Sequence, residues 1–165
     1  TTQGVLAFLP ALLQADHGFS AELASAAFAG MFATGLVARP LAGRLSDLTH
    51  RMAIAGSGLL LGVVGLLVLV SAGSPIMAVA GVVVFAAGQK AYPPSMQAYL
   101  MDAFPDGSMA GDLGATRSVY IGLGSLGPAY VGFVASQLSY TVAFIGFVAA
   151  FLFAGVIVLG LAFTG

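Results

Sequence analysis

Lys90 and Arg117 are basic side chains set among apolar neighbours, where each has the chemistry to hold an anion. Lys90 is the only lysine of the chain, and it shares a long apolar run with Gln89, Tyr92 and Gln97. An ammonium carried into hydrocarbon costs about 2.5 kcal/mol or more unless it is paired or hydrated. Such a lysine either faces an aqueous cavity, where it binds an anionic group, or forms one end of an ion pair. The plainer alternatives are a side chain snorkelling to the membrane edge, or one neutralised by Asp102. Pro93 and Pro94 follow directly and withhold two backbone donors, which predicts a bend serving as a hinge or simply shaping the packing. Arg117 shares a helical face with Tyr120, Gly124 and Pro128. Its place near a helix start favours pairing at the membrane edge over ligand binding. A further concentration of charge runs through Arg39 and Gly43-Arg44-Leu45-Ser46-Asp47-Leu48-Thr49-His50-Arg51.

The elements that position these residues follow from composition. The chain is 59% hydrophobic and 7% charged, whereas a soluble domain carries about 25% charged residues. An all-α integral membrane protein is expected, its 165 residues giving room for about six crossings of about 20 residues each. Apolar periodicity places helices at about 1–13, 20–38, 52–70, 76–101, 113–135 and 139–162, forming a single bundle over 1–165. The first segment, about 20 Å long, is too short to cross a core of about 30 Å. Its opening, Thr1-Thr2-Gln3-Gly4-Val5, reads as the middle of a helix rather than a signal peptide, so a truncated first helix and a fragment are expected. Ser20 is a plausible N-cap, and Ser71-Ala72-Gly73-Ser74-Pro75 is a turn with proline set to open the next helix. The stretch from Asp102 through Asp106 to Asp112 reads as an aqueous loop. Ala26, Gly30, Thr34 and Ala38 on the second helix, Gly58 and Gly62 on the third, and Gly146, Ala150 and Ala154 on the sixth present small residues for close packing in lipid.

Charge gives sidedness. Arg39, Arg44 and Arg51 precede the third helix and Arg117 follows the fourth, while the other three turns hold no lysine or arginine. The positive-inside rule then puts the loop after the second helix and the loop after the fourth in the cytoplasm, in a cell membrane. Several chemistries are excluded. A net charge of -1 without a basic run argues against nucleic acid. Gly122, Gly124 and Gly127 spell a GxGxxG pattern with no strand before it, so a dinucleotide site is improbable. There is no phosphate-binding lysine loop, no cysteine, and no histidine within a span. His17 and His50 fall on opposite sides of the membrane, so neither a metal nor a cofactor is expected, nor an enzyme.

The stretch from Gly43 to Arg51 resembles motif A of the major facilitator superfamily at Gly43, Leu45, Ser46, Asp47 and Arg51. It departs at Leu48, His50 and Met52, where a basic residue, a glycine and a second basic residue are expected. Gly122-Leu123-Gly124-Ser125-Leu126-Gly127-Pro128-Ala129-Tyr130-Val131-Gly132 is similar to a glycine-proline pattern of the family, with Gly127 and Pro128 as a hinge. An arginine expected in the fourth helix of a first half is replaced by Val84. The resemblance therefore implies one six-helix half of a transporter, the C-terminal one favoured, whose other half is absent from this chain.

The family likeness also implies roles. Gln3 and Phe8 would line the cavity, because the first helix of each half does so, beside Lys90, Gln89, Tyr92, Gln97 and Tyr120. Asp47 would face a helix start in the opposite half. Arg51, with Gly43, Arg44 and Arg117 nearby in the gating set, would pair with an acid at the inner end of the fourth helix, here Asp102, and hold the cytoplasmic side shut. An ordinary solvated loop is the alternative. The function implied is secondary transport of a small solute, a small organic anion or an amphipathic molecule. No acid lies near the centre of a span, so a proton carrier would belong to the other half. Two rivals remain: a non-transporting sensor or scaffold on the same fold, and a self-sufficient six-helix homodimer.

Overall fold

The structure, a computed structural model, describes residues 2–105 and 107–164. Thr1, Asp106 and Gly165, which enter the expectations above, lie outside the described residues. Helix α1 (Thr2–Ala11) continues as a π-helical turn, Leu12–Asp16, and is followed by α2 (Ala21–Leu48), α3 (Arg51–Val70) and α4 (Pro75–Ala103). After these come α5 (Met109–Gly124), α6 (Leu126–Gln137) and α7 (Tyr140–Thr164). No strand occurs among the described residues. Five lengths are long and apolar enough to cross a membrane, with Met109–Gln137 counted as one. Local chemistry sets the starts: Ser20 Oγ accepts from the Leu23 nitrogen at 3.3 Å, and Ser74 Oγ accepts from the Met77 nitrogen at 3.3 Å just ahead of Pro75, each sparing an orphan donor of the first turn.

Two helices differ from the expected extents. Helix α2 does not stop near Ala38 but runs through Pro40 to Leu48, leaving only Thr49 and His50 before α3. Hydropathy falls at Arg39 because the chain meets water there, and the hydrogen-bond ladder continues regardless. Pro40 removes a single N–H, that which would reach the exposed Leu36 carbonyl region. The stretch resembling motif A is therefore mostly helical. The fifth span begins at Met109 and is interrupted at Ser125. Pro128 has no N–H to give the Gly124 carbonyl, and at the interruption Ser125 Oγ donates to the Gly122 carbonyl at 2.6 Å.

Glycine sets the tightest seam, between α3 and α4. A Cβ on Gly81 would lie 2.7 Å from the Leu69 nitrogen, and one on Gly58 would lie 2.9 Å from the Gly88 carbonyl oxygen. Gly88 sits closer still, against the Gly58 carbonyl and the Gly62 backbone, and Gly65 lies directly under the Phe85 backbone. Backbones this close gain dispersion that larger side chains would forbid. Helix α7 closes on α3 from the other side, with Gly155 under Leu60 and Gly56 under Leu159. Around this centre lie Phe85, Phe144, Leu9, Leu66 and Leu69, all fully buried. On α2 the expected small stripe is not the packed face. Gly30 has nothing within 4 Å of a would-be Cβ, and the buried residues are Ala24, Ala27, Met31, Gly35, Ala42 and Ser46, offset from the small stripe and facing α4. Helix α5 buries none of its residues.

Candidate functional site

Helix α4 distributes its polar residues in three directions. Gln89 is buried and turns to α1, where its Oε1 accepts from Thr2 Oγ1 at 2.9 Å. Lys90 turns to α2, its alkyl stem 3.3 Å from where a Cβ on Gly35 would be. The ammonium ends 5.4 Å from the centroid of the Phe32 ring. That is cation–π distance, an attraction of about 0.5–2 kcal/mol depending on exposure. Among the described residues no carboxylate pairs with Lys90, and Asp102 is engaged by Arg51. Glycine at position 35 is what lets the stem lie flat on α2.

The third direction opens a cleft of about 280 Å³ between α4 and α5. Its polar wall is Tyr92, Gln97, Thr116, Arg117 and Tyr120. Pro93, Met96, Leu100 and Leu113 supply the apolar wall. Residues 92, 93, 96, 97 and 100 recur at the three- and four-residue spacing that lines one helix face, and 113, 116, 117 and 120 do the same on α5. The structure thus brings together Tyr92, Gln97, Tyr120 and Arg117 of the residues named from sequence. It does not bring Lys90, Gln89, Gln3 or Phe8 to them.

Below the cleft, Arg51 at the start of α3 donates to Asp102 at the end of α4. It also donates to the Ala98 carbonyl oxygen at 2.8 Å, and Asp47 of α2 stands 4.0 Å away. A cation at the carboxyl end of a helix interacts favourably with the helix dipole as well as with the carboxylate. Three helices therefore meet at one guanidinium. Gly43 offers its carbonyl to Ser46 Oγ at 2.8 Å, a helix-internal bond, and Arg44 is exposed with no partner carboxylate among the described residues.

The other named residues are distributed along the bundle. Gln3 is exposed on α1 with its amide carbon 3.6 Å from a would-be Cβ of Gly124. The Phe8 ring lies 5.9 Å from that of Tyr140. Pro93 and Pro94 sit within an unbroken α4, where Ser95 Oγ donates to the Ala91 carbonyl at 3.1 Å. Gly127 is pressed against α1, its carbonyl oxygen 2.9 Å from a would-be Cβ of Gly4. At the opposite end of the bundle from Arg51, Asp16 Oδ2 accepts from the Thr141 nitrogen at 2.7 Å, which caps α7 from the end of α1.

A family model, the Major Facilitator Superfamily, matches residues 1–164. The chain belongs to the Major Facilitator Superfamily. Neither a curated protein nor a solved structure matches it. Membership makes this an integral membrane chain of a small-solute transporter rather than an enzyme. Within that frame, sequence reasoning missed Thr2, Phe32, Gly35, Thr116 and the Ala98 carbonyl. Thr116 adjoins Arg117 and was within reach of inspection. Phe32 and Gly35 carried no signal, because nothing in a single chain says which face of α2 meets α4.

Proposed function

We propose that this chain is the C-terminal six-helix half of a secondary transporter that moves a small organic anion or amphipathic solute by alternating access. The two halves rock about a site near the bilayer midplane. The observation that carries the reading is the shared turn of α4: Gln97 and Leu100 line the cleft while Ala98 and Asp102 receive Arg51. A latch and a cleft wall built on one helical turn cannot move independently. The degenerate motif at Leu48, His50 and Met52 and the valine at position 84 support the assignment to the second half.

In this reading the Arg51, Asp47 and Asp102 cluster lies on the cytoplasmic side, in keeping with the arginines at 39, 44 and 51. It holds that side shut and separates when the cleft opens inward, with Asp47 facing the other half. The test is the full-length protein in lipid vesicles carrying Gln97→Cys, with and without Arg51→Gln. Faster alkylation of the new cysteine from the cytoplasmic side after loss of Arg51, together with altered transport rate, is expected. Equal alkylation rates and unchanged transport would remove Arg51 from the gate.

A further inference from the structure

We infer that the α4–α5 cleft binds a monovalent organic anion with an apolar or aromatic body, and that Arg117, not Lys90, supplies its counter-charge. The inference rests on the transport reading above and gives it a ligand class. Among the described residues Arg117 is the only charged side chain lining the cleft, and no carboxylate engages it. A guanidinium presents two parallel donors that match a carboxylate and is less strongly hydrated than an ammonium, so it keeps this affinity in apolar surroundings. Lys90, by contrast, is turned away onto Gly35 and Phe32 and cannot serve as a second cation for the same ligand.

The charge count and the walls narrow the class. One cation, with no carboxylate among the described lining residues, repels cations, and it leaves the second charge of a dianion without a partner in the lining. Met96, Leu100 and Leu113 face the body of the ligand, and the rings of Tyr92 and Tyr120 join them while keeping hydroxyl groups for orientation. A volume of about 280 Å³ is close to the lower limit of small-molecule sites, about 300 Å³. That suits a single-ring or short-chain acid rather than a large drug-like molecule. An anionic lipid headgroup shares the negative charge, so the test separates it from a free solute.

The experiment is calorimetric titration of the purified full-length protein with benzoate, 3-phenylpropionate, phthalate and benzamide. Expected are binding of the two monoanions, at least tenfold weaker binding of phthalate, and none of the neutral benzamide. Arg117→Gln should weaken benzoate at least tenfold and Arg117→Lys should restore part of the loss, with thermal unfolding showing both variants folded. Arg39→Gln, an equal loss of charge on the exposed side of α2, should leave benzoate affinity unchanged. Equal affinity for benzoate and benzamide, no binding of any probe, or wild-type benzoate affinity in Arg117→Gln would each overturn the assignment. Competition by phosphatidylglycerol, absent with phosphatidylcholine, would give the site to lipid and overturn it as a solute site. Vesicle transport separates the two readings. Transport of a neutral solute indifferent to Arg117→Gln keeps the transporter and discards the anion, whereas anion binding without any flux does the reverse.

Discussion

The α3–α4 seam and helix α5 are built from similar material, apolar residues rich in glycine, yet one is the most tightly closed part of the molecule and the other buries nothing. Gly58, Gly65, Gly81 and Gly88 each meet opposing backbone at distances a Cβ could not share. Gly111, Gly114 and Gly122 of α5 have nothing within 4 Å. In lipid, glycine brings helices together only where the facing helix also offers a flat surface. The same residue therefore marks a rigid block in one place and an unpartnered strip in the other, and the cleft forms where the two adjoin.

The sharpest way to break the contrast is to load the seam. Gly88→Leu should cost about 3 kcal/mol or more, because its side chain meets backbone that has no room to yield. Detergent unfolding should show a collapsed midpoint, and a stable variant would mean that the seam is looser than described. An intermediate effect is expected at the tether between α1 and α7: Asp16→Ala removes the cap on Thr141 and should cost about 1 kcal/mol in the same assay. Asp16→Asn, which keeps an acceptor oxygen, should recover most of it. The Arg51–Asp102 pair should contribute less to stability, since Asp102 is 66% exposed and pairs open to solvent are worth about 0–1 kcal/mol. Asp102→Asn should accordingly lower the midpoint slightly, by an amount that shrinks in high salt. Smallest of all, Gly122→Ala in α5 should change stability by no more than about 0.5 kcal/mol in either direction. A loss comparable to Gly88→Leu would erase the distinction between the two regions.

The spans were legible because bilayer thickness fixes helix length, and hydropathy reports it directly. Their ends were less so. At Arg39 and Pro40 the composition turns polar and acquires a proline, the signs of a loop, but α2 continues to Leu48 because a single missing N–H does not end a hydrogen-bond ladder. The pairing of Arg51 with the end of α4 was within reach, through the family resemblance that points to an acid at that place. The cleft was legible only in halves. Tyr92 and Gln97 stood out on one helix and Arg117 and Tyr120 on another, with no local rule to say that these faces oppose each other. Lys90 drew attention as a cation in an apolar run, and its resting place depended on a glycine and a phenylalanine more than fifty residues away in α2.

The π-helical turn at Leu12–Asp16 acts as a phase shift. A π turn accommodates an extra residue, so everything after it is rotated by about 100° from where an uninterrupted α-helix would have carried it. Asp16, the last residue of the turn, is the one whose carboxylate meets Thr141. Deleting a single residue from the turn would restore ordinary helical phase, swing the acid away from α7, and leave the first and last helices joined by apolar contacts such as Phe8 with Tyr140.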